Sequence, residues 1–201
     1  MNSPTDKYHR RSIRLPDYDY AQSGAYFITI CTQSRELLFG DVVNDGMVLS
    51  ELGQMVEAHW QNISAHFDQL ALDAFVVMPN HLHGILVLVD SGTPAMERAK
   101  HFGDATGQLG LHSRNASPLR RGDGTQAGSV AAIVQNFKSV TTRKINQMRG
   151  LVGRTVWQRN YHERVIRDAR ELEAKRKYIA DNPMQWALDA ENPNVRCVRH
   201  S

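Results

Sequence analysis

His81 and His83 stand one residue apart in a stretch, Asp73 to Val89, that is otherwise mostly apolar. The runs Phe75 to Met78 and Ile85 to Val89 are short, rich in β-branched residues and flank a Pro79-Asn80 break, so they read as two buried neighbouring strands. Side chains alternate along a strand, which puts both histidines on one face and Leu82, Leu86 and Leu88 on the other. Two imidazoles side by side on a rigid surface suit a divalent metal, and the same spacing also suits polar residues facing solvent near a turn. Other His-x-His chemistries fit less well: a His-x-His-x-Asp-His hydrolase pattern or a His-x-His-x-His transferase pattern needs Asp or His where Ile85 stands.

A second chemical element is Lys177-Tyr178-Ile-Ala-Asp-Asn182-Pro183. Tyr178 and Asn182 are four residues apart and share a helical face. A tyrosine can attack phosphorus and an amide oxygen can bind a hard cation; equally, the tyrosine can pack and the asparagine can cap a helix before proline. His162 is either an accessory polar group or a strand residue, and Tyr161 is a rival nucleophile without a ligand-type residue four positions on. Trp157, beside Val156, reads as a core anchor.

The elements that must carry these groups can be read in order. Residues 1–22 form a polar arm with Arg10, Arg11 and Arg14. Tyr26 to Thr32 is the first core strand, and Leu37 to Gly40 with Met47 to Leu49 form a short hairpin or an extended connection around the turn signal Asn44-Asp45-Gly46. Ser50 caps a helix ending near His66, and Ser129 caps another through about Met148, with Val130, Ile133, Val134, Phe137 and Ile145 on its buried stripe. Residues 91–127 lose all periodicity and read as a mobile insertion or binding loop. Val152 to Gln158 and Glu163 to Ile166 are extended or short strand segments, and a last helix begins near Asp168, to be ended or kinked by Pro183, with a short turn Gln185 to Asp189 after it. Strand, helix, strand pair, helix, strand is the ferredoxin-like α+β sandwich, an antiparallel sheet with helices on one face, to which the tyrosine-bearing helix is added. The catalytic domain then spans 23–190, with a tail over 191–201.

Composition excludes several classes. The chain has 201 residues, 41% of them hydrophobic, which fits one substantial globular domain. No run is long enough to span a membrane, the amino end lacks the apolar core of a secretory signal, and two cysteines are too few for a disulfide framework, so a reducing cytoplasm is expected. Residues 1–127 hold 10 Lys and Arg against 14 Asp and Glu, whereas residues 128–201 hold 14 against 7. A basic carboxyl-terminal third suits a polyanion, and a solvated helix face is the plainer alternative. Lys138, Arg143, Arg159, Arg164 and Arg167 are the candidates for phosphate contacts.

Three motifs in one order, Val-Val-Met-Pro79-Asn-His81-Leu-His83, Val156-Trp-Gln-Arg-Asn-Tyr161 followed by His162-Glu-Arg-Val-Ile-Arg167, and Tyr178-Ile-x-x-Asn182-Pro183, resemble the REP-associated tyrosine transposases. These are bacterial relatives of the IS200-like single-tyrosine HUH transposases, in which U is a hydrophobic residue. The resemblance runs from about Tyr26 to Trp186, and the tract 91–127 departs from it. It implies a ferredoxin-like fold, metal binding by His81, His83 and Asn182, attack by Tyr178, Mg²⁺ or Mn²⁺, and single-stranded or hairpin DNA as partner. The implied product is a 5′-phosphotyrosine intermediate on palindromic repeat DNA, made by a monomer or homodimer at the bacterial nucleoid. A non-catalytic repeat-binding protein, or an HUH replication initiator or relaxase, are the alternatives. The latter often carry a helicase or further domain, for which 201 residues leave no room.

Overall fold

A computed structural model describes residues 19–89 and 126–195. Most of the expected arm and tail, and nearly all of the expected insertion, lie outside the described residues. The core is a four-stranded sheet of β1 (Gly24–Cys31), β4 (Leu70–Met78), β5 (His81–Leu88) and β6 (His162–Ile166), in the order β4-β5-β1-β6. Every neighbouring pair is antiparallel. With α1 (Glu51–Gln61) between β1 and β4, and α2 (Val130–Met148) between β5 and β6, the chain follows the βαββαβ path of a ferredoxin-like sandwich. A small hairpin, β2 (Gly40–Val43) and β3 (Gly46–Leu49), precedes α1, and α3 (Ala169–Gln185) follows β6.

The two faces of the sheet have different cores. Tyr26, Ile28 and Ile30 of β1 and Leu82, Leu86 and Leu88 of β5 pack with Val56 and Trp60 of α1 and with Ile133, Val134 and Phe137 of α2. Gly84 sits on this face because a Cβ there would lie 2.5 Å from the Trp60 ring; only a bare α-carbon lets α1 approach so closely. Residues of opposite parity, Ala25, Phe27, Ile85 and Ile166, pack with Leu172 and Ile179 of α3. The helices expected on one face are α1 and α2, and the added tyrosine helix covers the other.

Each helix starts at an oxygen that satisfies a free N–H of its first turn. Ser50 accepts from Gly53, Ser129 from Ala132, and Asp168 from Glu171 at 2.7 Å. The α1 helix stops at Gln61, and a 3₁₀ turn continues it to His66. The α3 helix runs two residues past Pro183, since a proline in the last turn deletes one N–H and leaves the earlier ladder whole. The hairpin forms further along than expected: Asn44 and Asp45 both have positive φ, a two-residue turn that pairs Val43 with Gly46. Val152 to Gln158 is not a strand. It follows the sheet as a loop that touches it by one bridge, Thr32 to Trp157, and Trp157 is anchored by donating Nε1–H to Thr141 Oγ1 at 2.9 Å.

Candidate metal and tyrosine site

β1, β5 and α3 meet over one patch of the second face. Strand alternation turns His81 and His83 of β5 toward α3, beside Phe27 and Thr29 of β1. Both histidines are buried, at 0% and 4% exposure, which sets aside the solvent-facing reading of the pair. Their Nε2 atoms are 3.0 Å apart. Asn80 Nδ2 donates to the Glu191 carbonyl at 2.8 Å, so Asn80 Oδ1 accepts from His81 Nδ1–H at 2.9 Å and leaves the His81 Nε2 lone pair aimed at His83. Thr29 Oγ1 lies 2.8 Å from His83 Nδ1 and serves either tautomer, donating when His83 Nε2 carries the proton and accepting when Nδ1 does.

Tyr178 and Asn182, one helical turn apart on α3, both reach this pair. The Tyr178 hydroxyl is 3.4 Å from His83 Nε2, and its ring stands edge-on to His83 and Phe27 at 5.1 and 5.9 Å between centroids. Tyr178 is 37% exposed. Asn182 is 1% exposed, and its Oδ1 is a buried acceptor beside His81 that meets no donor while His81 Nε2 is unprotonated. Lys175, one turn earlier, holds its ammonium 4.5 Å over the Phe27 ring and 5.6 Å from the Tyr178 ring. A bidentate ion pair between Arg176 and the nearly buried Asp73, at 2.8–3.1 Å, ties α3 to β4 and so holds these side chains over the histidines.

Among the described residues His81, His83 and Asp189 form a group able to hold a metal ion. Asp189 follows a 3₁₀ turn after α3, and its Oδ2 is 3.9 Å from His81 Nε2. The donor set fits a divalent cation on three counts. The two Nε2 atoms face each other 3.0 Å apart, close enough for one ion to be held by both. Asn182 Oδ1 is an orphaned acceptor in the same patch, and burial pushes both imidazoles below their ordinary pKa, toward the neutral form that ligates. Burial also pushes the Tyr178 phenol upward, and the Asp189 carboxylate adds to this, so the hydroxyl is protonated at neutral pH while the carboxylate goes unopposed.

The other expected site residues divide into two groups. His162 and Arg164 lie on the tyrosine face, opposite Thr29 and Phe27 in the ladder, and Arg164 Nε donates to Glu171 at 2.6 Å. Arg167, between β6 and α3, is exposed and donates its backbone N–H to the same carboxylate. Arg143 and Arg159 lie instead along a cleft between α2 and the loop 151–159. Lys138 differs from the expectation: its ammonium donates to the carbonyls of Gln158, Arg159 and Asn160 at 3.0–3.4 Å, and burial pushes its pKa down to about 8. Its protons are committed to closing that loop. Tyr161 is spoken for as well, donating to Glu163 at 2.8 Å.

Asp189 is the member of the cluster that sequence reasoning missed. It lies seven residues after Asn182 with a turn between, a spacing with no signature of its own. Chain folding brings it in: Arg35 donates to the Ala190 carbonyl at 2.9 Å and pairs with Glu191 at 3.1 Å, while Asn80 holds the Glu191 carbonyl. Cys31, next to Glu191, is no nucleophile, since burial pushes its thiol up to about 12.

Fold and site together define a ferredoxin-like domain with a two-histidine, one-carboxylate cluster facing a helical tyrosine. The chain is 39% identical over 182 residues to an uncharacterized protein of Haemophilus influenzae Rd, covering 90% of this chain and 92% of that one, and it belongs to the same family. No family model matches it. Solved structures of similar shape include a REP-associated tyrosine transposase bound to a REP hairpin, at 18% identity and TM-score 0.45, covering 84% of this chain and 71% of that one. Another is a Deinococcus radiodurans R1 protein assigned as a transposase, at 15% identity and TM-score 0.41, covering 82% and 94%. Among the described residues no helix is long and apolar enough to cross a membrane.

Proposed function

We propose that this protein is a divalent-metal-dependent DNA nicking and strand-transfer enzyme of the single-tyrosine HUH kind, acting on single-stranded or hairpin DNA with palindromic repeats. The observation that carries the reading is the meeting of the Tyr178 hydroxyl with the His83 ring of the same chain, 3.4 Å apart, over a buried histidine pair and an orphaned Asn182 oxygen. A tyrosine placed for packing alone has no need of such neighbours.

His81, His83 and Asn182, with Asp189 as a further oxygen, would hold the ion, and two imidazoles in the set favour Mn²⁺ over Mg²⁺. When bound, such an ion supplies positive charge that polarises a phosphate oxygen. The chain's own groups do the rest. Tyr178 Oη forms a bond to phosphorus as the bond from phosphorus to the 3′ oxygen breaks; the phenol proton leaves to solvent, to which Tyr178 is partly exposed, and the 3′ oxygen takes one up. One phosphodiester is exchanged for another, so the reverse reaction rejoins the strand. Lys175 is positioned to receive a phosphate oxygen beside the phenol, and Arg167, just past the edge strand β6, adds positive charge, while Arg164 is paired with Glu171. Lys138 keeps the 158–160 loop in shape, and Arg143 and Arg159 contact DNA away from the tyrosine. The three sequence motifs, which resemble those of the REP-associated tyrosine transposases, guide the choice of substrate.

The test is incubation of the purified protein and Mn²⁺ with labelled hairpins bearing single-stranded flanks, taken from repeats near its own gene. A DNA adduct that survives denaturation and is lost in Tyr178→Phe is expected. Tight binding with no cleavage by the wild type, undiminished in Tyr178→Phe and His83→Ala, would replace this reading with a non-catalytic repeat-binding protein.

A further inference from the structure

Three stretches distant in sequence close on one another at the rim of the ion site. The turn 32–36 follows β1, Asn80 stands between β4 and β5, and segment 189–192 follows α3 by way of a 3₁₀ turn. Asn80 is 1% exposed and every polar group of its amide is engaged. Its Nδ2 donates to the Glu191 carbonyl at 2.8 Å and to the Arg35 carbonyl at 3.3 Å, and its Oδ1 accepts from His81. The Glu191 carboxylate takes a fork from Arg35, Nε at 3.1 Å and Nη2 at 3.3 Å, and accepts from the Cys31 thiol at 3.6 Å. Asp189 lies two residues before this anchor. Its Oδ1 accepts the Glu191 N–H at 2.7 Å, which leaves Oδ2 as the oxygen turned to His81.

The backbone of the turn shows that this clamp is built and not incidental. Ser34 and Arg35 have φ of 55° and 57°, the left-handed region, and neither is glycine. Two such residues in succession cost free energy that an exposed turn does not recover by packing. What the conformation achieves is the aim of Arg35, its carbonyl on Asn80 and its guanidinium on residues 190 and 191. Asn80 in turn grips one histidine and the carrier of the carboxylate at once, so a shift of Glu191 moves Asp189 directly and reaches His81 through Asn80. We propose that Arg35, Asn80 and Glu191 are positioning residues of the cation site, holding the Asp189 carboxylate and the His81 Nε2 lone pair toward one ion. The inference rests on the metal-dependent reading above. Partners of this kind set affinity by orienting ligands that are already present. The effect is reciprocal: the clamp strengthens ion binding, and a bound ion holds segment 189–192 closed by the same factor.

The test reads the ion and the segment, with no DNA present. Mn²⁺ affinity of the full chain is measured by calorimetry, and backbone hydrogen exchange of residues 189–192 is followed in EDTA and in excess Mn²⁺. Arg35→Ala is expected to weaken Mn²⁺ binding about tenfold, and Asn80→Ala at least as much. In an Asp189→Asn background Arg35→Ala should add nothing, because it acts through that carboxylate, whereas Asn80→Ala should still weaken binding through His81. Arg35→Lys, which keeps the charge without the fork, should recover part of the affinity. Excess Mn²⁺ should slow exchange across 189–192 about tenfold in the wild type and leave it unchanged in Asp189→Asn. If Asn80→Ala fails to fold, Arg35→Ala and Glu191→Ala carry the test, since both side chains are partly exposed, at 22% and 26%. Equal losses for Arg35→Ala with and without Asp189, or wild-type exchange that ignores Mn²⁺, would overturn the inference. A wild type that binds Mn²⁺ with an affinity unchanged in Arg35→Ala and Glu191→Ala defeats the clamp alone; a wild type that binds no Mn²⁺ defeats the metal-dependent reading as well.

Discussion

Asn182→Ala separates a ligand from a structural amide, because the two roles give opposite signs. The residue is 1% exposed and its Oδ1 finds no donor. A buried acceptor left unsatisfied costs ~1–3 kcal/mol, and alanine is preferred over asparagine within a helix by ~0.5 kcal/mol. Against this stands the loss of a small amide's packing and of its N–H beside the Tyr178 oxygen, about 1 kcal/mol together. The metal-free variant should therefore be more stable than the wild type by about 1 kcal/mol, or ~2–4 °C in Tm for a chain of this size. With the ion bound, the missing oxygen weakens affinity at least about tenfold, and each tenfold removes ~1.4 kcal/mol of ligand-derived stability. The ranking should reverse: alanine above wild type in EDTA, wild type above alanine in excess Mn²⁺. Thermal unfolding followed by circular dichroism in the two buffers reads this directly. If alanine lowers Tm by the same amount in both, Asn182 is an ordinary buried amide and the cation site is wrongly composed.

Asp189→Asn should weaken Mn²⁺ binding about tenfold by calorimetry while leaving the metal-free fold intact, because it removes the one carboxylate of the cluster; unchanged affinity would exclude it as a ligand. Burial holds His81 and His83 below the ordinary histidine value of 6.5, so below that pH the unfolded chain binds more protons than the folded one. The metal-free protein should then lose stability, by a few kcal/mol in all, as pH falls from about 6.5 toward 4; a Tm that stays flat or rises on acidification would contradict the neutral pair. Arg176→Ala leaves the Asp73 carboxylate nearly buried and unpaired, and should cost ~2–3 kcal/mol in denaturant unfolding and slow adduct formation as α3 loosens over the sheet. Arg176→Lys, which cannot form the fork, should restore only part of the stability, and full rescue would reduce the pair to a simple charge contact.

Much of this architecture is legible in local patterns. The caps Ser50, Ser129 and Asp168 follow from the chemistry of single residues next to periodic apolar runs, and all three helices begin there. The histidine spacing allowed only one outcome for its two side chains, since alternation on a strand does not depend on what the strand packs against. Boundaries set by non-local contacts were harder. The loop from Val152 to Gln158 has the composition of a strand, but it pairs with the sheet only at the Thr32–Trp157 bridge, and other groups along it are used by Lys138, Asn146 and Thr141 of α2. Lys138 looks like a surface cation until its neighbours are in place.

The order of residues along this chain therefore determined the helices, the core strands, the sharing of one face by His81 and His83, and the stacking of Tyr178 over Asn182, because each depends on periodicity over a few positions. Tertiary structure alone decided that α3 crosses the very face on which the histidines stand, bringing together residues 95 positions apart at 3.4 Å. It alone turned Asp189 back onto His81, left Asn182 with an unmet oxygen, and closed Arg35 and Asn80 on Glu191. Those outcomes depend on which surfaces exclude water from one another, and that is a property of the packed chain.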